Sequence, residues 1–453
     1  MAALLLCQTV TPVLADTMEA ALIRAYQNNP QLNAQRAAVR STDENVPQAL
    51  SGYRPQVAVT ASGGVQYLDT VTRVAPGGPN QKLNGTTQPR SVGATVTQTL
   101  YNGGRTGNLT RAAESQVSAA REGLRVLEQS VLLAAATIYM DYLRDAAIVE
   151  VQRNNVRVLE QTLRQTRDRF NVGEVTRTDV AQSEASLAAG RTQQLAAEST
   201  LTTTRANFRR IIGNDPQALA PGSPVDRFLP GSLAGAIDLG LIENPNVTAA
   251  MYGIDVSFLQ VKINEGALFP TLTLQGAVQQ AYDTTLQVNR SFGASATANL
   301  TIPIYQGGAE YALIRQSKET LGQQRLNLDQ VRDQTRATIA QAWGQLIASR
   351  AQVRSAQSQV AASEIALNGV RQEATVGQRT TLDVLNAQQA LVNARVAVVT
   401  AQHDRVVASY SVLNAIGRLS PTTLRLQTSV YDPNVHYQQV RDNWVGVRTP
   451  DGR

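Results

Sequence analysis

The longest stretches of this chain repeat their apolar residues at alternating steps of three and four. Val117, Ala120, Leu124, Leu127, Val131, Ala134 and Ile138 form one run. Val156, Leu159, Leu163, Thr166 and Phe170 form a second on a drifted register. Ile339, Ala342, Leu346, Ser349, Val353, Ala356 and Val360 repeat the spacing later, and Val384, Ala387, Leu391, Ala394, Val398 and Ala401 repeat it on a returning segment. This is the spacing of a coiled-coil seam. Many seam residues are Ala or Ser, so neighbouring helices can approach closely. Thr106 to Arg169 holds no proline and only Gly107 and Gly123. One helix of about 96 Å is therefore predicted, at about 1.5 Å per residue. Ordinary globular helices run about 8–20 residues, which separates this pattern from a common bundle.

Elsewhere the period drops to two. Val57, Val59, Ala61, Gly63 and Val65 alternate with Gln56, Ala58, Thr60, Ser62 and Gly64. After a Pro/Gly/Asn-rich loop, Val92, Ala94 and Val96 alternate with Gly93, Thr95 and Thr97. Leu272, Leu274, Gly276 and Val278, then Phe292, Ala294, Ala296, Ala298, Leu300 and Ile302, do the same. The polar partners carry almost no charge. Alternation over about ten residues, with one apolar and one uncharged polar face, fits strands of a membrane barrel better than a soluble sheet. Four such strands cannot close, because the smallest membrane barrels need about eight. An open edge cannot sit in lipid, so other copies of the chain must complete the barrel.

The whole arrangement occurs twice. Tyr101-Asn102-Gly103-Gly104 recurs as Tyr305-Gln306-Gly307-Gly308, Gly173 as Gly377, Asp179 as Asp383 and Gly213 as Gly417, each 204 positions on. Upstream, Asn29-Pro30 recurs as Asn244-Pro245 and Pro55 as Pro270, 215 positions on. The copies thus differ by 11 residues between the Pro and the Tyr-x-Gly-Gly. A constant offset of this length indicates duplication. The reading is residues 1–15 as an incomplete secretory signal and 16–215 as repeat 1, with a strand pair at 55–101 and a helical hairpin at 106–212. Residues 216–232 form a linker rich in Pro. Repeat 2 is 233–420, with a strand pair at 270–303 and a hairpin at 309–417, and 421–453 is an irregular C-terminal extension.

Composition removes other classes. The net charge is +6, but the Arg residues are scattered among Glu and Asp without a basic block, as on solvated helix faces, so no nucleic-acid partner is expected. No apolar run is long enough for a membrane-spanning helix. The single Cys7 follows Leu4-Leu5-Leu6, without the small residue a lipid anchor needs. His403 and His436 have no Cys, His or carboxylate partner at metal-ligand spacing, and His403 and Asp404 are expected to point apart on their helix. Trp343 and Phe170 read as packing residues. No enzyme activity, metal or cofactor is expected.

The signal-like start, the Asn-Pro helices, the Pro-led strand pairs, Tyr-x-Gly-Gly before each long helix and the two Val-Gly turns followed by Asp-Val resemble the TolC family of outer-membrane efflux and secretion channels. The resemblance spans roughly Thr17 to Pro421. It implies a mainly α fold with a small β part: a homotrimer with a twelve-stranded barrel in the outer-membrane bilayer, continued by an α-helical periplasmic tunnel. It also implies a periplasmic adaptor and an inner-membrane transporter of RND or ABC type as partners. Adaptor docking is carried onto the tips at Val172, Gly173, Thr178, Val376, Gly377 and Thr380. The gate is carried onto Asp179, Arg379 and Asp383. Asn386 stands where the family has a second acidic ring, and Ala374 where it has a tyrosine. The implied closed state rests on an Arg379–Asp179 pair above a less acidic constriction. Capping of the helices by Asp179 and Asp383 is a compatible role. The expected function is a passive exit duct for drugs or proteins. A trimeric coiled-coil surface adhesin is the alternative, but it would place its strands in one terminal anchor rather than in both halves. A soluble coiled-coil adaptor would not need the strands.

Overall fold

The computed structural model describes residues 16–73, 76–450 and 452. The expected signal at 1–15 lies outside the described residues. Helices α1 (Met18–Asn28) and α2 (Pro30–Asp43) meet at the first Asn-Pro step, and α3 (Asn45–Leu50) follows. Asn29 Oδ1 accepts the backbone N–H groups of Gln31 and Leu32 at 2.9 and 3.2 Å. Pro30 takes the first helical position, where its missing N–H leaves nothing unpaired. The same device joins α6 (Leu233–Glu243) to α7 (Pro245–Glu265), with Asn244 Oδ1 accepting from the Asn246 N–H at 2.9 Å.

The predicted hairpins are present. Helices α4 (Arg105–Asn171) and α8 (Ala309–Thr375) each hold 67 residues, and their returns α5 (Arg177–Ile212) and α9 (Thr381–Ile416) each hold 36. The seam residues Val117, Leu124, Val131, Ile138, Ile339, Leu346, Leu391 and Ala394 are buried as the spacing requires. Phe170 departs from its expected packing role. It lies on the last turn of α4 and is 42% exposed.

The chain divides into two compact units that cut across the repeats. The first contains residues 122–248 and 329–432 with the chain up to Ala38. There Ala236 of α6, Ile339 and Leu346 of α8, and Ala408, Val412 and Ile416 of α9 form one core, with Trp343 against it. At the hairpin end Val156, Leu159 and Leu163 of α4 pack on Leu187 of α5 and Leu385 of α9. The residues expected to form a linker are tied down. Val225 N–H donates to Ser409 Oγ at 3.1 Å, and Asp226 pairs with Arg405 and, at 3.3 Å, with Arg350.

The second unit contains residues 39–121, 249–328 and 433–453. Its main sheet runs in the order β1 (Gln56–Gly63), β4 (Arg90–Asn102), β5 (Thr271–Thr285), β6 (Val288–Thr301), all antiparallel. The β4–β5 pairing joins the two repeats. Register aligns Val57 with Val96, Val96 with Gly276, and Gly276 with Ala296, so the middle rows of one face of the sheet are apolar. The other face aligns Thr95, Ala277 and Ser295 with Ala58. A bulge between Thr99 and Tyr101 brings Tyr101 opposite Leu272 on the apolar face. The loop expected between the strands of repeat 1 is itself a two-stranded ribbon, β2 (Gln66–Arg73) with β3 (Asn80–Thr87). The ribbon is the main addition of repeat 1, whereas β5 and β6 join through a tight turn.

The C-terminal extension is more ordered than expected. It contains α10 (Pro433–Val440), whose His436 Nδ1 lies 2.9 Å from the fully buried Asp43 carboxylate. Arg121 stacks on Tyr437 and Arg54 on Trp444, with the guanidinium 5.0 and 4.8 Å from the ring centroids. Cation–ring contacts and one buried hydrogen bond, His436 to Asp43, hold this segment, which carries no hydrophobic periodicity for sequence reading to detect.

Candidate functional site: the hairpin tips

The two tips are built alike, residue for residue. Helix α4 ends in a Schellman turn. Glu174 N–H donates to the Arg169 carbonyl at 2.8 Å and Gly173 N–H to the Phe170 carbonyl at 2.9 Å. Helix α8 ends with Gln378 N–H on the Glu373 carbonyl at 3.0 Å and Gly377 N–H on the Ala374 carbonyl at 3.3 Å. Gly173 and Gly377 both have φ of 79°, a conformation that disfavours any residue with a Cβ. Val172 is 79% exposed and Val376 70%. Each tip thus presents an apolar side chain beside a bare stretch of backbone.

The chain re-enters helix through a reciprocal capping box. Thr176 N–H donates to Asp179 Oδ2 at 3.0 Å while Asp179 N–H donates to Thr176 Oγ1 at 3.4 Å. The second box is Thr380 with Asp383, at 3.0 and 3.2 Å. Thr380 therefore corresponds to Thr176. Thr178, which the sequence reading placed at the tip, lies within the first turn of α5 and caps nothing. The constant offset of 204 was the signal that could have found Thr176.

The candidate gate residues have partners of their own within the chain. Arg379 Nε donates to Glu373 Oε2 at 2.8 Å, across its own turn. That carboxylate holds the guanidinium more firmly protonated. Asp179 is kept below the usual carboxylate range by the Thr176 hydroxyl, then by the Thr176 N–H, with a smaller lowering from the nearby Thr381 hydroxyl of the second hairpin. Asp383 is lowered by the Thr380 N–H and hydroxyl. Asn386 is exposed on α9. Within one chain Arg379 thus faces Glu373 rather than Asp179, and Leu385 of the second hairpin packs on Leu163 and Leu187 of the first. Deeper in, Gln388 ties the hairpins together. Its Oε1 accepts from Arg371 at 3.0 Å and its amide donates to Asn155 at 3.4 Å.

His403 corrects an expectation. Its Nδ1 lies 2.9 Å from Asp404 Oδ1 and its Nε2 2.9 Å from Asp141 Oδ1. The ring is buried, with Nδ1 hydrogen-bonded to Asp404 and Nε2 in charge contact with Asp141 outside hydrogen-bond geometry. Arg144, 2.9 Å from Asp141, balances the charge. Burial pulls the imidazole pKa down, and the two carboxylates more than offset it, so the net shift is upward.

The profile of the outer membrane efflux protein family matches residues 21–214 and 236–418, which are the two repeats. The chain belongs to that family. It is 42% identical to the outer membrane efflux protein BepC of Brucella suis, over all of this chain and 97% of that one. It is 26% identical to the outer membrane protein TolC of Vibrio cholerae, covering 90% of this chain and 92% of the relative. Among solved structures, CusC superposes with a TM-score of 0.77 at 17% identity, covering 89% of this chain and 92% of that one. In this efflux family the fold is mainly helical with a small sheet, as found here.

Proposed function

We propose that the chain is the outer-membrane exit duct of a tripartite efflux assembly, working as a homotrimer. The observation that carries this is the main sheet. It has one mainly apolar and one uncharged polar face, two edge strands, β1 and β6, whose outer edges are unpaired among the described residues, and a direct continuation into helices of 67 residues. Three copies supply twelve strands and remove every edge. The helices extend into the periplasm as the wall of a conduit, and the Val172-Gly173 and Val376-Gly377 tips receive the hairpins of a periplasmic adaptor. An inner-membrane transporter supplies the energy, and the duct itself is passive.

The 42% relative is named for efflux, which favours small-molecule export as the main task. The alkaline protease secretion protein AprF of Pseudomonas aeruginosa is 24% identical, so protein secretion through a second transporter is the other use to test. The decisive experiment is fractionation with mild detergent extraction. The expected result is an outer-membrane trimer that forms channels in planar bilayers, and a deletion strain that loses resistance to several drugs. A soluble monomer in the periplasmic fraction overturns the proposal.

A further inference from the structure

Cross-strand register assembles a cationic row at the hairpin end of the main sheet. Arg90 of β4 pairs with Tyr282 of β5, and Tyr282 pairs with Arg290 of β6. All three are exposed. Strand alternation puts them on the face that carries Val92, Val278 and Ala294. They form its last row, directly beyond Val92, Gln280 and Phe292. Adjacent strands lie about 4.8 Å apart, so the two arginines flank the tyrosine about 10 Å from each other. Arg90 donates to Gln88 Oε1 at 3.0 Å, which engages one of its five N–H groups. Among the described residues no carboxylate makes an ion pair with either arginine.

This end of the sheet is opposite the end that runs into α4 and α8, so on the exit-duct reading, on which this inference rests, it meets the outer leaflet. That leaflet is built from phosphorylated saccharolipid. Guanidinium groups bind phosphate through paired N–H donors, and a tyrosine between them adds a hydroxyl donor above an apolar ring. The apolar rows beneath continue down to Leu272 and Leu300 and offer acyl chains a surface, which a free phosphate ion would not use. We propose that Arg90, Tyr282 and Arg290 form a binding site for the phosphate-bearing headgroup of an outer-leaflet saccharolipid, one site per chain.

The test is native mass spectrometry of the full-length protein in mild detergent, titrated with diphosphorylated lipid A, its dephosphorylated form and phosphatidylglycerol. The wild type should retain the diphosphorylated lipid best. Arg90→Gln with Arg290→Gln should bind it about thirtyfold more weakly, the factor for two surface cations, and Arg290→Gln alone about fivefold more weakly. The single variant, on the edge strand, keeps the test open if the double variant fails to insert. Equal retention by variant and wild type overturns the site, as does equal binding of the dephosphorylated form. Equal binding of phosphatidylglycerol overturns the saccharolipid assignment. A wild type absent from outer membranes defeats the duct reading itself, whereas a membrane-inserted trimer with unchanged lipid retention defeats only this inference.

Discussion

At the residue scale the tips depend on two glycines and two capping boxes. A Cβ built on Gly173 or Gly377 meets no atom within 4 Å, so substitution there is limited by φ alone. We predict that Gly173→Ala or Gly377→Ala costs about 1 kcal/mol of backbone strain and leaves export intact. Gly173→Trp or Gly377→Trp should abolish export without preventing trimer formation, because the bulk covers the docking backbone. Drug-accumulation assays with a trimer gel separate these outcomes, and normal export by both Trp variants removes the tips from adaptor binding. The capping boxes carry a pH dependence. Asp179 and Asp383 have folded pKa values below the ordinary carboxylate range. Their contribution is therefore complete above about pH 4 and is lost as pH falls through the lowered values. Protection of the amides at residues 176–180, taken relative to their intrinsic exchange rates, should fall in acid, and Thr176→Ala, which costs about 1 kcal/mol, should show low protection already at neutral pH. Unchanged exchange in Thr176→Ala shows that the box does not hold the tip. Asp179 and Asp383 were legible from their position after each turn. Their partners were less so, since a threonine cap needs the helix start placed to within one residue.

Elements are where the duplication made the fold readable, and where it stopped doing so. Period and offset together were enough to place α4, α5, α8, α9 and the four main strands. The β2–β3 ribbon escaped because its Asn, Thr and Lys residues alternate without an apolar face, and both of its faces are largely exposed. Helix α10 escaped because one buried hydrogen bond and stacked arginines hold it. Asp43 is fully buried, and burial raises its pKa while His436 partly counters that. Removing His436 takes away the closest charge-stabilising partner of this carboxylate and leaves Arg121, at 3.8 Å, and Arg40 to offset its burial. We predict that His436→Ala destabilises the unit by about 3 kcal/mol, the scale for breaking a buried pair. Asp43→Asn in the same background should recover much of that loss, because it discharges the orphaned group. Thermal melts of the detergent-solubilised protein measure both, and a double variant no more stable than His436→Ala assigns the effect to lost packing. His403 behaves differently. Its raised pKa means that its ion pairs contribute fully below about pH 6.5 and fade as pH rises through the folded value. The wild type should therefore lose thermal stability from pH 6 toward 8 relative to His403→Gln, and parallel pH profiles of the two proteins refute this.

For the whole molecule, the proposed trimeric duct raises the question of what would keep it shut at its tips. The family resemblance points to an Arg379–Asp179 pair, yet within one chain each residue is already engaged. Arg379 is held by Glu373 at 2.8 Å, and Asp179 by the Thr176 N–H and hydroxyl at 3.0 and 2.7 Å. Any cross-hairpin or cross-subunit latch must compete with these local bonds, and both groups are largely solvated, so water screens each pair and leaves it weak. A latch of that size can be opened by an adaptor with only modest differential affinity. The competition gives predictions of opposite sign. Arg379→Ser and Asp179→Ala remove the latch and should raise single-channel conductance in planar bilayers and sensitise cells to large antibiotics. Glu373→Gln releases Arg379 from its own turn and should strengthen the latch, lowering conductance. Asp383→Asn should weaken pore block by multivalent cations, and more visibly than in a channel with a second acidic ring, because Asn386 adds no charge three residues further along the helix. If Glu373→Gln and Arg379→Ser shift conductance in the same direction, the arginine does not act across hairpins. Closure then rests on apolar contact between the tips, with Leu385 packed against Leu163 and Leu187 as its core.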